Sequence, residues 1–294
     1  MSQPPDLLLN LTAAGLLVVD IENIVRYANP SASELLERPH LVGQPVGFNV
    51  TPGWGEVAFT PVGHTPRTLA AHGKSMTWEG QLATLVTLHD VSHTAQQLAR
   101  SETQWAELES AYDKTLALWA QVMDRRDGEA EGHSQRVADL TVRLAKTLNV
   151  PDEMHKHIWR GALLHDIGKV GVPDEILNKP GQLTDEEWDV VRTHPTLAFE
   201  LLQGVLFLRP ALDIPYCHHE KWDGSGYPRR LKGEEIPVAA RIFAVVDVWD
   251  ALRSDRPFRK AWSVEKARDY IMQQVGQHFD PRVVAAFVIT IDNL

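Results

Sequence analysis

Glu129 and His133 stand four residues apart, so on a helix both side chains would leave one face and reach a single metal ion. Leu163-Leu164-His165-Asp166-Ile167-Gly168-Lys169 sets an imidazole beside a carboxylate, with an apolar run before the pair and a helix-ending glycine after it. His194 precedes Pro195, and His218-His219-Glu220 contains a histidine doublet. Asp247 falls in the apolar stretch Arg241–Leu252, where a buried carboxylate is costly unless it is paired or bound to a metal. Taken singly, each has an ordinary explanation: a satisfied helix end, a turn, a surface doublet. Together they offer five imidazoles and three carboxylates, with no thiolate among them. That mixture suits Fe or Mn, admits Zn or Ni, and argues against a structural zinc site. Eight donors exceed what one ion takes; they fit two or three ions bridged by Asp166 and a water or hydroxide. Ions so placed lower the pKa of a bridging water and clamp the attacking and leaving oxygens of an in-line attack at phosphorus.

Such a cluster needs a scaffold, and the second half of the chain reads as all helical from about Trp119. Val137, Leu140, Leu144 and Leu148 keep helical spacing, as do Ile158, Ala162 and Leu163, and later Ile242, Val245, Val246 and Trp249. Ahead of it, residues 92–123 contain neither Gly nor Pro and predict one long helix. Leu98, Trp105, Leu108, Tyr112, Trp119 and Val122 occupy a and d positions of a heptad, broken by Ser101 and Thr115, which suits a parallel two-stranded connector. Residues 1–94 read as a small α/β domain. Gly15–Asp20 and Ile24–Ala28 predict a hairpin, Ser31 and Glu34 have capping-box spacing at a helix start, and Leu82–Leu88 predicts a last strand. Between them, Val42 to Gly73 is rich in Gly and Pro and reads as loop and edge strand; His64 and His72 within it read as solvated.

The chain has 294 residues with 29 basic and 39 acidic side chains, a net charge of −10. A net acidic surface repels nucleic acid and anionic membranes, so an anionic substrate must meet a local cationic centre, which bound metal would supply. Cys217 is the single cysteine, so no internal disulfide forms; it reads as a small buried side chain. No apolar run approaches the ~20 residues of a spanning helix, and Met1–Asp6 has no basic start to an export signal. The expectation is a soluble, cytoplasmic protein with no membrane and no nucleic-acid partner.

The opening "LLVVD…IVRYANPSASELL" and the ending "LVTLHDVSH" resemble a PAS domain, which implies a sensory or dimerising role with a ligand the sequence does not name. From about Trp119 to Leu294 the donor pattern resembles the HD superfamily of metal-dependent phosphohydrolases. His218-His219-Glu220-Lys221-Trp222-Asp223-Gly224-Ser225-Gly226-Tyr227-Pro228, with the run from Leu231 to Ala261, narrows it to the HD-GYP cyclic di-GMP phosphodiesterases. The fold implied is α+β: a PAS-like domain over 1–94, a connecting coiled-coil-like helix over 95–122, and an all-α HD-GYP bundle over 123–294. By that resemblance Glu129, His133, His165, Asp166, His194, His218, His219 and Asp247 hold the metals, with Glu129 serving a third ion. Asp166 and Lys169 take catalytic roles, with Lys169 at the substrate phosphate or bridging water. Gly226, Tyr227, Asp250, Arg256, Arg259 and Lys260 contact substrate, and arginine forks suit phosphate oxygens in their own right. Phe258 stands where the family usually has tyrosine, removing one hydroxyl contact. Cyclic di-GMP and pGpG are the implied substrates, a homodimer the implied assembly, and the Gly-Tyr-Pro loop the implied contact for a signalling partner.

Overall fold

The computed structural model describes residues 12–48, 50, 53–59, 67–255 and 259–292. The chain forms two compact units, Met1–Leu108 and Glu109–Leu294.

The first unit is an antiparallel five-stranded sheet, β1 (Gly15–Asp20), β2 (Val25–Ala28), β3 (Gly53–Phe59), β4 (Arg67–Trp78) and β5 (Gln81–Asp90), in the order β2-β1-β5-β4-β3. β1 is an interior strand, with Leu17 opposite both Ala28 and Val86, and its residues are buried from Gly15 to Val19. Leu17, Val19, Val25, Leu36, Leu69, Val86 and Leu88 form the core. The helix that follows β2, α1 (Pro30–Leu35), is capped by Asn29, whose side chain accepts from the Ala32 amide at 2.9 Å and the Leu16 amide at 2.8 Å. Ser31 is therefore not the cap; its hydroxyl donates to the Thr12 carbonyl instead. The Gly- and Pro-rich middle holds the expected edge strand, β3, and differs from expectation beyond it. β3 and the first half of β4 occupy it, and His72 sits within β4 opposite Thr87 rather than in a loop. Backbone pairing to β5 overrides the poor apolar alternation there. His64 lies outside the described residues. Glu79 and Gly80, at φ 49° and 82°, make the two-residue turn from β4 to β5.

Helix α2 (Ser92–Arg126) runs unbroken for 35 residues. Ala120, Met123 and Asp124 are buried, whereas Leu98, Trp105, Leu108, Tyr112, Trp119 and Val122 are exposed. The second unit continues through α3 (His133–Thr147), α4 (Asp152–Leu163), α5 (Asp174–Leu177), α6 (Asp185–Val191), α7 (His194–Leu202), α8 (Asp213–Cys217), α9 (Val238–Arg253), α10 (Val264–Gln273) and α11 (Pro281–Ile291). Its core draws on Val137, Leu144, Ile158, Ile242, Phe243, Val245 and Phe287. α9 supplies the centre: among its residues Ile242, Val245 and Val246 are fully enclosed.

Arg160 of α4 is 1% exposed and fixes α4 to the last half of α2. Its guanidinium donates to Asp113 at 2.6 and 3.0 Å and to Glu109 at 2.8 Å, and it lies 4.0 Å over the Phe207 ring. A buried guanidinium requires such compensation, because leaving it unpaired would cost several kcal/mol. Among the described residues no helix is long and apolar enough to cross a membrane.

Candidate metal centre

α4 ends at Leu163, and after Leu164 come His165 and Asp166; a short 3-10 turn, Ile167–Gly171, then carries Lys169. Gly168 makes this possible. A β-carbon at that position would run into the His194 carbonyl and lie 2.7 Å from the Ala198 amide nitrogen. The turn therefore presses directly on the start of α7, which brings His194 to Asp166. His133 opens α3, His218 follows α8, and Asp247 is on α9, so with the segment after α4 and the start of α7 five separate elements deliver the donors.

Asp166, His194, His218 and His219 each offer a ligand atom within 4.8 Å of the others, and His133, His165 and Asp247 form a second such group. Asp166 joins them. Its Oδ2 is 2.9 Å from His165 Nε2, and its Oδ1 is 3.4 Å and 3.7 Å from Nε2 of His194 and His218. In the second group His133 Nε2 is 3.5 Å from Asp247 Oδ1.

The opposite ring nitrogens are already committed. His165 Nδ1 faces the Ala162 carbonyl at 2.9 Å, His194 Nδ1 the Val191 carbonyl at 2.7 Å, and His218 Nδ1 the Ile214 carbonyl at 3.1 Å. A carbonyl only accepts, so each Nδ1 carries a proton, and in the neutral ring Nε2 is then the bare lone pair. Nε2 of His194 and Nε2 of His218 nevertheless stand 3.2 Å apart. Two lone pairs at that distance repel unless a proton or a metal ion lies between or beside them. The donor set therefore fits divalent metal, and backbone carbonyls hold the tautomers it needs. Asp250 does the same for His133, accepting from Nδ1 at 2.8 Å while Arg136 donates to its two oxygens at 2.8 and 2.9 Å.

Electrostatics follow burial and these pairs. Burial alone would disfavour charge on His165, but the Asp166 carboxylate outweighs it and lifts the imidazole to about 9. Burial and His218 push His194 down to about 3, and the same causes hold His219 well below the ordinary histidine value. Asp166 is half-buried yet kept ionised, well below the usual carboxylate range, by His165 and by Lys169, whose Nζ lies 2.7 Å away. Asp127 behaves oppositely: burial, against the pull of Lys169, raises its carboxyl to about 6. Its Oδ2 is 3.6 Å from Lys169 Nζ, and its buried Oδ1 has no hydrogen-bond partner in the protein.

A cavity of about 480 Å³ opens on these groups, lined by Asp127, Glu129, Lys169, Tyr227 and both sets of donors, and elsewhere by apolar side chains of α5 and α6. Glu129 reaches it, but not as the helical spacing predicts. α2 stops at Arg126, Gly132 turns the chain at φ 72°, and α3 begins only at His133. Glu129 therefore approaches from a loop and belongs to neither donor group. Tyr227 stacks on His219, with ring centroids 4.8 Å apart, and burial raises its phenol to about 12.

The other expected substrate contacts sit elsewhere. Gly226 is enclosed by its own loop, where a β-carbon would lie 2.5 Å from Glu220 Cα and from the His219 carbonyl. Asp250 stands behind His133, its oxygens taken by His133 and Arg136. Arg259 donates to the Ala251 carbonyl and lies over Trp262, and the exposed Lys260 pairs with Asp255 at 3.2 Å. None of these four lines the cavity. Arg256 and Phe258 lie outside the described residues. Cys217 is buried as expected, its thiol pushed up to about 11 by burial. Asp127 and Glu220 were not singled out by the sequence. Glu220 is 2% exposed, and its carboxylate accepts from the Arg229 and Leu231 amides at 2.6 and 2.9 Å. Its place directly after the histidine doublet was the available signal.

A helical bundle that gathers imidazoles around one bridging carboxylate defines a metal-dependent hydrolase class, and residues 118–283 match the HD domain family model. That span is more than half of the chain, which belongs to the HD domain family. The sequence is 39% identical over 211 residues to a cyclic di-GMP phosphodiesterase response regulator of Xanthomonas campestris, covering 69% of this chain and 56% of that protein. It is 46% identical over 158 residues to a cyclic di-GMP phosphodiesterase of Pseudomonas aeruginosa, covering 53% and 38%. It is also 41% identical over 167 residues to a 3'3'-cGAMP-specific phosphodiesterase of Vibrio cholerae, covering 56% and 32%. The chain thus spans roughly half or less of the length of these curated relatives.

Proposed function

We propose that this chain hydrolyses cyclic di-GMP to pGpG and onward to GMP, using two or three divalent ions with Fe or Mn preferred. The observation that carries this is Asp166, whose oxygens lie 2.9, 3.4 and 3.7 Å from Nε2 of His165, His194 and His218 and 2.7 Å from Lys169 Nζ. Bound metal would supply an acidified water and charge to neutralise phosphate oxygens. Asp166, His194, His218 and His219 would hold one ion, and His133, His165 and Asp247 another, with Glu129 the candidate for a third. Lys169 offers a fixed cation to a phosphate oxygen, and Tyr227 packs against His219 at the rim. The first unit, PAS-like in its sequence, serves as a sensor, and the exposed heptad face of α2 pairs two chains into a homodimer. The Gly-Tyr-Pro loop is offered to a signalling partner. A cytoplasmic second messenger as substrate places the work in the cytoplasm.

A second reading has a specific observation behind it, since three of the relatives are named 3'3'-cGAMP-specific phosphodiesterases. Turnover of cyclic di-GMP, 3'3'-cGAMP and pGpG, measured side by side on anaerobically purified protein of known metal content, decides between them. Faster cleavage of cyclic di-GMP is expected; cleavage of 3'3'-cGAMP alone would replace the substrate, and cleavage of neither would overturn the reading.

A further inference from the structure

The cavity lining has two chemistries. The metal donors, Asp127 and Lys169 make one part; Ile176, Leu177, Leu183, Trp188 and Val191 make the other. We propose that this second part, centred on Trp188, is a nucleobase subsite in which the indole stacks on a purine ring of the substrate. The proposal rests on the cyclic dinucleotide reading above and extends it to residues which that reading does not use.

Trp188 is 43% exposed and takes no part in the main core of the second unit. A large aromatic ring left wet on a cavity wall is available to a ligand. Its position is not loosely determined. Trp188 and Val191 are three apart on α6, so they share one face, and the Val191 carbonyl holds Nδ1 of His194 at 2.7 Å. The ring is thus tied within six residues of sequence to a candidate metal donor that lines the same cavity.

The helix is also anchored at its start. Thr184 and Glu187 form a capping box, and the Glu187 carboxylate binds Lys179 Nζ at 2.7 and 2.8 Å. That pair neutralises the one lysine on this wall, so the wall suits an uncharged ring better than a second phosphate. The Arg192 guanidinium lies 5.9 Å over one face of the indole and is not part of the cavity lining, so a base would stack on the other face. Arg259 and Lys260, the basic groups expected at the base, do not line the cavity. Stacking is tolerant of base identity, because every base has a π face. This subsite therefore supplies affinity for the dinucleotide and leaves the choice between guanine and adenine to other groups.

The test uses the full-length metal-loaded protein with cyclic di-GMP and with methyl p-nitrophenyl phosphate, a diester that has no nucleobase. Trp188→Ala is expected to raise KM for cyclic di-GMP by ~10-fold or more, the range of one base–aromatic stack, with metal content and methyl p-nitrophenyl phosphate turnover unchanged. Trp188→Phe should restore KM to within ~3-fold, since a smaller ring still stacks. An unchanged KM in Trp188→Ala overturns the subsite. So does a parallel loss on both diesters, which would make Trp188 a support for His194. The substrate reading is judged separately, by whether the parent protein cleaves cyclic di-GMP at all.

Discussion

His165, His194 and His218 each spend one nitrogen on a main-chain carbonyl, which leaves the other to hold the proposed metal. Replacing a donor should therefore dismantle the nucleophile-generating centre: His165→Ala or Asp166→Ala is expected to lower hydrolysis by at least ~100-fold, and near-normal turnover in either variant would sink the assignment. Asp250→Asn leaves every donor in place but weakens the group that orients His133. Metal titration should show affinity lower by ~10–100-fold, whereas a substrate-contact role would change KM and leave metal affinity alone. Glu129→Ala should lose about one ion per chain relative to Glu131→Ala, whose side chain lies outside the cavity; equal metal content in both variants and the parent defeats a third site. At this scale the donors were legible from their combination and from the family resemblance, since each taken singly has an ordinary explanation. Asp127 was not, because Asp124-Arg125-Arg126-Asp127 reads as a solvated charge run. Its burial arises only when α2, the Lys169 turn and α3 close around it. Asp250 was assigned to substrate for a similar reason: sequence marks a carboxylate near a site but not the direction it faces.

The elements position these groups through a few close contacts. Glu220 holds the loop that carries Tyr227 by accepting from two amides at once, which an amide side chain cannot reproduce, because its NH2 would face one of the N–H groups. Glu220→Gln should destabilise the fold by about 1–3 kcal/mol and raise KM while leaving metal content intact; wild-type KM in the folded variant would show that the loop does not depend on it. Helix α2 has its own pH signature. The Lys156 and Arg160 partners hold Glu109 down at about 2, below its ordinary 4.5. A depressed carboxylate contributes stability that is complete above the ordinary value and disappears as pH falls through the folded one. Helical melts should thus lose Tm between pH 4.5 and 2 in the parent, and Glu109→Gln should flatten that limb; parallel limbs would remove Glu109 from the account. Long helices were legible from periodicity and the absence of Gly and Pro. β3 and β4 were not, since their register is set by neighbouring strands, and Asn29 rather than Ser31 became the cap because it also reaches Leu16 of β1.

For the whole molecule, all the donors lie beyond Glu129 and the ion pairs of Arg160 begin at Glu109. A fragment Gln104–Leu294 should therefore fold, bind metal and keep measurable phosphodiesterase activity; a folded, metal-loaded but inert fragment would show that the first unit takes part in the chemistry. Sedimentation of the full chain should give a dimer that Trp105→Glu with Trp119→Glu converts to monomer, and an unchanged mass would leave the exposed heptad face to another use. The facing nitrogens of His194 and His218 have a thermal consequence as well. A ligand that binds only the folded protein stabilises it by RT ln(1 + [L]/Kd), about 4.1 kcal/mol at a thousandfold excess over Kd. Unfolding of Glu109–Leu294 should thus move to lower temperature as a chelator is titrated, while unfolding of the sheet unit stays where it was. Heat tolerance of the catalytic half is then set by the free metal concentration around it, so that scarcity of the ion limits how long the folded enzyme survives as well as how fast it turns over.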